Sequence, residues 1–92
     1  MDIGRALRLC RSARKLSLDE LSRRSGLSQS YLSMIERNKR DPSLSTTEKL
    51  AEALGIATPI LLFLAADADE LTGLDHDTAR RLSDAALAVM RT

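Results

Sequence analysis

Residues 17–37 read SLDELSRRSGLSQSYLSMIER, and this stretch predicts the fold because it contains two helix starts separated by a tight turn. Ser17 and Glu20 have the spacing of a capping box, in which each side chain accepts a hydrogen bond from the other residue's backbone amide. Gly26 can then end the first helix in the left-handed conformation, and Ser28 can cap the next helix almost immediately. Such a short connection holds two helices at a large angle, so that the second can project into a groove.

The flanking segments also predict helices, and no alternating strand pattern interrupts them. Apolar residues recur at helical spacing from Ile3 to Ala13, which indicates a first helix over about residues 2–14. The two helices around Gly26 would span about residues 18–24 and 28–37. Tyr31, Leu32 and Ile35 would face the core. Every predicted element is therefore a helix, and the fold class is all-α.

A loop rich in turn formers, residues 38–43, separates this pair of helices from two more. Ser45 and Glu48 have the spacing of a second capping box, and they predict a fourth helix that ends at Gly55. Thr58 is the predicted cap of a fifth helix, with Pro59 in the first helical position, where a missing amide costs little.

The C-terminal third has a different pattern, because residues 60–64 are apolar on all sides and a last helix over about residues 77–91 has its own apolar stripe. We place a boundary between residues 66 and 67, before an acidic linker. Two apolar surfaces beyond a five-helix unit predict self-association, although the last helix could instead fold back over residues 60–64 of its own chain. The predicted dimer interface comprises Ile60, Leu61, Phe63, Leu64, Leu82, Ala86, Val89 and Met90.

The net charge of +1 conceals an asymmetry between the two halves of the chain. Residues 1–40 contain ten Lys/Arg and four Asp/Glu, whereas residues 41–92 contain four and nine. A basic half beside an acidic half predicts that one end faces a polyanion. No apolar run approaches the roughly 20 residues that a membrane helix needs, so we expect a cytoplasmic protein without a membrane partner.

The composition argues against an enzyme, a metalloprotein or a cofactor-binding protein. The chain has one His, one Cys and no glycine-rich phosphate loop. A zinc site needs several soft ligands, so we expect no metal and no cofactor. Cys10 falls on the apolar face of the first helix, and we interpret it as a core residue.

The residues from Leu16 to Gly55 resemble the phage repressor/Cro-like helix-turn-helix family, also called the xenobiotic-response-element (XRE) family. The matching segments are Leu16-Ser17, Glu20-Leu21, Ser25-Gly26-Leu27-Ser28, Tyr31-Leu32-Ser33, Ile35-Glu36-Arg37, Pro42-Ser43-Leu44 and the run from Lys49 to Gly55. The resemblance covers about residues 3–63. It implies a five-helix lambda-repressor-like domain over residues 1–66 that binds double-stranded DNA as a homodimer on a palindrome and regulates transcription, commonly by repression.

The resemblance also implies roles for individual residues. In this family the N-terminal part of the third helix lies in the major groove, which leaves Gln29, Ser30, Ser33 and Met34 to contact bases. The expected phosphate contacts are Ser28, Arg37, Asn38, Lys39 and Arg40. Arg11 and Glu36 match positions that form an ion pair between the first and third helices. The chain departs from the family at Leu18, where Gln is common, and at Asn38, where Gly is common.

Two other functions fit the same pattern. The apolar C-terminal surfaces could bind a different protein, as when a repressor of this family is also the antitoxin of a toxin pair. A controller of a restriction-modification operon is a second possibility, since such controllers are similarly short and helical.

Overall fold

A computed structural model describes residues 1–67, 77, 80, 81, 84–86 and 88. Five helices lie within residues 1–67: α1 (Ile3–Ala13), α2 (Leu18–Ser25), α3 (Gln29–Glu36), α4 (Leu44–Leu54) and α5 (Thr58–Ala65). The seven residues described beyond Asp67 are helical as well, so the all-α prediction is confirmed for the described part of the chain. None of its helices is long and apolar enough to cross a membrane.

The predicted helix signals around Gly26 are present. Ser17 caps α2 and forms the reciprocal capping box with Glu20. Gly26 follows α2 with φ at 76°, in the left-handed region, and Ser28 caps α3 by accepting a hydrogen bond from the Tyr31 amide. The pKa of the Glu20 carboxyl is lowered, first by the Ser17 backbone amide and then by the Ser17 hydroxyl.

Two predicted caps were wrong. The cap of α4 is Ser43, whose Oγ accepts a hydrogen bond from the Thr46 amide, and not Ser45. The earlier start also lets the buried Thr47 hydroxyl donate to the Ser43 carbonyl at 2.9 Å, which satisfies a polar group inside the core. The cap of α5 is Ala57, with no side-chain hydrogen bond, and Thr58 is already its first helical residue.

The core lies where α1 packs against α3 and α5 while α2 packs against α3 and α4. Its largest fully buried side chains are Leu7, Cys10, Leu21, Leu32, Ile35, Leu50, Leu54 and Leu61. Cys10 is therefore a core residue, as predicted, and burial raises the pKa of its thiol. Burial of these apolar side chains supplies the main driving force for folding.

Two members of the predicted dimer interface belong to the interior of the chain instead. Leu61 is 0% exposed and Ala86 is 1% exposed, so each is already covered within its own chain. A continuous apolar segment such as residues 60–64 turns one side toward the core, and Leu61 lies on that side. Ile60 and Leu64 pack on the edge of the core, and Phe63 is half-buried. Leu82, Val89 and Met90 lie outside the described residues.

Candidate nucleic-acid interface

The connection between α2 and α3 is held by hydrogen bonds of its own side chains. The Ser22 hydroxyl donates to the Leu27 carbonyl at 2.6 Å, and the Leu27 amide donates to Ser25 Oγ at 3.2 Å. These bonds satisfy backbone groups that the tight turn would otherwise leave without partners. The position of α3 relative to α2 is therefore set by the turn as well as by the core.

The four predicted base-contacting residues share one shallow depression on the surface. Its lining consists of Leu18, Gln29, Ser30, Ser33, Met34 and Arg37. Gln29 and Ser30 are exposed, whereas Ser33 and Met34 are half-buried. The surface thus combines an amide, two hydroxyls and a thioether, with a guanidinium at one end. This is a mixture of donors, acceptors and an apolar contact of the kind that reads base edges.

Gln29 is not free within this surface. Its Nε2 donates to Asp19 Oδ1 at 3.0 Å, and Asp19 Oδ2 lies 3.0 Å from Arg23 Nη2. A side chain at the start of α2 therefore holds the first residue of α3. Asp19 could not be assigned to the site from the sequence, because ten residues separate it from Gln29 and no local spacing rule pairs them.

The cationic residues after α3 are exposed and follow a sharp bend. Asn38 has φ at 58°, in the left-handed region, as expected for a residue that replaces a family glycine. The Lys39 amide donates to the Met34 carbonyl at 2.8 Å, which closes the end of the helix. The Arg40 guanidinium lies 5.8 Å from the centre of the Tyr31 ring. Arg37 lines the depression itself, and the exposed residues Asn38, Lys39 and Arg40 follow it along the chain.

The ion pair implied by the resemblance is present between α1 and α3. Arg11 Nε and Nη2 donate to the two carboxylate oxygens of Glu36, at 2.7 and 3.0 Å, and Nη1 donates to the Leu16 carbonyl at 2.9 Å. The Glu36 side chain is only 5% exposed. The hydrogen bond to Glu36 raises the pKa of Arg11, so this guanidinium remains charged. One side chain therefore joins α1, the turn before α2 and the C-terminal end of α3.

A close backbone approach also positions α3. Gly4 is buried in the first turn of α1, and a Cβ at this position would collide with the Ile35 carbonyl oxygen. The Asn38 side chain and the Glu36 carbonyl are also near that position. Sequence periodicity did not single out Gly4, because only the crossing of α1 with α3 creates the requirement.

The described residues contain no group of three or more His, Cys, Asp or Glu that could hold a metal ion. The candidate site is instead an open surface whose polar and cationic side chains suit an extended polyanion.

Comparison with known proteins identifies the family of this chain. The pattern of the family described as "Helix-turn-helix" matches residues 5–61, which include all of α2 and α3. The chain belongs to the phage repressor-like helix-turn-helix family. This helix-turn-helix protein is 46% identical over 56 residues to the immunity repressor protein of Bacillus phage phi105, a match covering 61% of the chain. The matched segment spans 39% of the phage protein, so the chain covers well under half of that relative.

Two other regulators are similar over more of their length. The restriction-modification controller protein C.AhdI from Aeromonas hydrophila is 42% identical, with a TM-score of 0.63 over 65% of this chain and 91% of the controller. The transcriptional regulator SinR of Bacillus subtilis is 32% identical over 84 residues, which cover 90% of this chain and 76% of SinR. A solved complex of SinR with SinI matches with 33% identity and a TM-score of 0.62, over 94% of this chain and 80% of that chain. Relatives of this helix-turn-helix protein thus include a phage immunity repressor, a restriction-modification controller protein and a bacterial transcriptional regulator.

Proposed function

We propose that this protein is a sequence-specific regulator of transcription, most simply a repressor, that places α3 in the major groove of double-stranded DNA. The observation that carries the proposal is that Gln29, Ser30, Ser33 and Met34 line one open depression together with Arg37, the residue that begins the cationic bend after α3. The family membership supports the same docking, because the second helix of the motif enters the major groove in proteins of this kind.

Each reading side chain has a chemical counterpart on a base edge. Gln29 can accept from adenine N6 and donate to adenine N7, and Ser30 and Ser33 can bond to several edges. The Met34 thioether can contact the methyl group of thymine. None of these four residues is Arg or Lys, the side chains that recognise guanine best, so guanine contact would depend on Arg37. We therefore expect half-sites rich in adenine and thymine.

The phosphate contacts would fix where α3 lies along the duplex. Arg37, Asn38, Lys39 and Arg40 are exposed on the bend beyond α3. Ser28 is exposed at the other end of α3, although its Oγ already accepts the capping hydrogen bond from the Tyr31 amide at 3.1 Å. Its hydroxyl hydrogen can still be donated to a phosphate oxygen. Such contacts contribute affinity and register and carry no sequence information.

We further propose that the protein acts as a homodimer on a palindromic operator. One copy of α3 reads only a few base pairs, whereas two copies related by a twofold axis read half-sites about 34 Å apart. Ile60, Phe63 and Leu64 of the predicted interface retain some exposure beside the core. Together with the last helix predicted from the sequence over about residues 77–91, they would provide the contact.

A protein partner is a second candidate function. It is supported by the match to SinR, whose solved structure is a complex with SinI and aligns with nearly the whole chain. DNA binding and partner binding are compatible, because a partner that binds the C-terminal region could compete with the second copy. The match to C.AhdI supports an operon controller as a variant of the DNA-binding function.

Selection of bound sequences from a random duplex library, near physiological salt, tests the DNA-binding proposal. We expect enrichment of a palindrome whose half-sites contain adenine and lie about one helical turn apart. Enrichment of a single half-site would contradict the homodimer, although it would still agree with base contacts from α3. No enrichment by the folded protein would contradict sequence-specific DNA binding and favour the partner-binding function.

A further inference from the structure

Asp19, at the start of α2, accepts a hydrogen bond from Gln29, one of the four proposed base-reading residues. Gln29 Nε2 lies 3.0 Å from Asp19 Oδ1, and both side chains are exposed at the same surface. An ionised carboxylate accepts hydrogen bonds and cannot donate them, so only the amide nitrogen of Gln29 can face it. The orientation of the Gln29 amide is therefore dictated by the chemistry of its neighbour.

We propose that Asp19 is a positioning residue that makes Gln29 a reader of adenine and disfavours guanine at the same base pair. This inference rests on the proposed function, because it assigns the base that one of the reading residues selects. With one Nε2 hydrogen bonded to Asp19, Gln29 keeps Oε1 and its second Nε2 hydrogen available. Those two groups match the N6 donor and N7 acceptor of adenine.

Guanine offers only acceptors, O6 and N7, in the major groove. In the pose that suits adenine, the second Nε2 hydrogen still reaches guanine N7, but Oε1 faces the O6 acceptor, which is unfavourable. The Gln29 amide can donate to O6 only if it turns over, and turning over presents Oε1 to Asp19. Two acceptors would then face each other, and the hydrogen bond to Asp19 would be lost. The carboxylate thus penalises guanine even though Asp19 need not contact the DNA.

Arg23 makes it possible for a carboxylate to remain at a DNA-facing surface. Asp19 Oδ2 lies 3.0 Å from Arg23 Nη2, so each carboxylate oxygen has its own donor. The positive charge offsets the repulsion that Asp19 would otherwise experience from nearby phosphates. Water leaves this surface when DNA binds, and the lower local dielectric then strengthens both interactions with Asp19.

The test uses the operator found by selection and a second duplex in which the adenine opposite Gln29 is replaced by guanine. The ratio of the two dissociation constants is measured for the wild-type protein and for Asp19→Asn. Asn has nearly the same shape but can present either an oxygen or an amide nitrogen to Gln29, so the Gln29 amide becomes free to turn. We expect the preference for adenine to fall at least about fivefold, the lower end of what one bidentate base contact contributes.

Three further variants, Asp41→Asn, Gln29→Ala and the double variant Gln29→Ala/Asp19→Asn, distinguish positioning of Gln29 from a general effect of the Asp19 charge on DNA binding. Asp41→Asn removes an exposed negative charge elsewhere, and it should leave the adenine-to-guanine ratio unchanged even if all DNA binds more tightly. In a Gln29→Ala background, Asp19→Asn should no longer change the ratio. An unchanged ratio in Asp19→Asn alone, or the same change with and without Gln29, would overturn the inference.

A measurement without DNA tests the contact itself. The side-chain amide protons of Gln29 should shift in the NMR spectrum of Asp19→Asn and stay in place in Asp41→Asn. Unshifted amide protons in Asp19→Asn would overturn the inference whatever the DNA results. A wild-type protein that shows the contact but enriches no DNA sequence would instead overturn the proposed function, and the inference with it.

Discussion

Arg11 on α1 donates to both carboxylate oxygens of Glu36 on α3, at 2.7 and 3.0 Å, and so anchors the proposed reading helix to the opposite side of the core. The Glu36 side chain is 5% exposed, and Arg11 is 19% exposed. Arg8 is a weaker second partner, because its Nε lies 3.7 Å from Glu36 Oε1 and its side chain is largely exposed. Arg11 and Glu36 therefore have a structural role, and the Glu36 carboxylate is almost fully buried.

Replacing Arg11 with Ala should destabilise the protein strongly. Removing one partner of a buried ion pair costs about 3–5 kcal/mol, because a buried charge is left without its counterion. Urea denaturation of wild type, Arg11→Ala and Arg8→Ala measures the effect. Arg8→Ala is the matched control, and it should cost no more than about 1 kcal/mol, as for an exposed pair. Equal losses for the two variants would contradict the assignment of Arg11 as the main partner.

Gly4→Ala should destabilise the protein by displacing α3. The added Cβ would collide with the Ile35 carbonyl oxygen, which is backbone and cannot move without its helix. Overpacking of this kind costs about 1–3 kcal/mol. Gly55→Ala is the control, since it strains a left-handed residue at the end of α4, where the new Cβ meets only Arg14 Nη2, at 3.7 Å. Thermal unfolding measures the stability of each variant, and binding of the selected operator is measured with the folded protein. Affinity of the folded protein for the operator should fall only in Gly4→Ala.

Gln29→Ala should reduce sequence discrimination, whereas Arg40→Ala should reduce affinity for all DNA. Loss of one bidentate base contact costs about 1–3 kcal/mol at one or two base positions. Loss of one phosphate contact instead lowers the slope of log affinity against log salt by about 1. Repeating the selection with each variant measures the discrimination, and titrations at several salt concentrations measure the slope. Selection of the same sites with unchanged stringency by Gln29→Ala would show that the assigned face of α3 is wrong.

The stability of the protein should fall at alkaline pH partly because of Cys10. Burial raises the pKa of its thiol in the folded state, so the neutral thiol is favoured there and the thiolate is favoured by unfolding. This contribution is fully present below about pH 8.5, the ordinary thiol pKa, and is lost as pH rises through the folded pKa. The free energy of unfolding between pH 8 and 10 should therefore fall less steeply for Cys10→Ala than for wild type. Parallel pH profiles would contradict the prediction.

Truncation after Asp67 should lower dimerisation while keeping the five helices. An earlier end, after Leu64, would remove Ala65, which is fully buried and whose carbonyl accepts a hydrogen bond from the Asp2 amide. Sedimentation of the full chain and of the chain truncated after Asp67, across a range of concentrations, measures association. Far-UV circular dichroism checks that the truncated chain keeps its helices. A truncated chain that still binds a full palindrome as a dimer would contradict the role given to residues 77–91.

Features whose partners are close in sequence could be predicted well. The capping box of Ser17 and Glu20 and the left-handed bends at Gly26 and Asn38 depend on a few neighbouring residues. The cap of α4 could not be chosen in the same way, since Ser43 and Ser45 both have suitable side chains. The choice of Ser43 depends on Thr47, whose hydroxyl needs a partner only once it is buried in the folded core.

Features that arise from helix crossings were missed. Asp19 meets Gln29 because α2 and α3 cross at that point, and Gly4 is required because α1 approaches the end of α3. Leu61 was assigned to an interface between chains because residues 60–64 are apolar on every side, and periodicity cannot tell which of them faces its own core.

The hydrogen bond from the Asp2 amide to the Ala65 carbonyl, at 2.7 Å, brings the two ends of the five-helix unit together. Adjacent ends are the condition under which a domain tolerates circular permutation. A chain opened at the exposed Asp41, beyond the cationic bend, and closed by a short linker between residues 65 and 2 would retain the same helices in a different order. The packing of the helices, and not their order along the chain, is then what specifies the surface formed by α2 and α3.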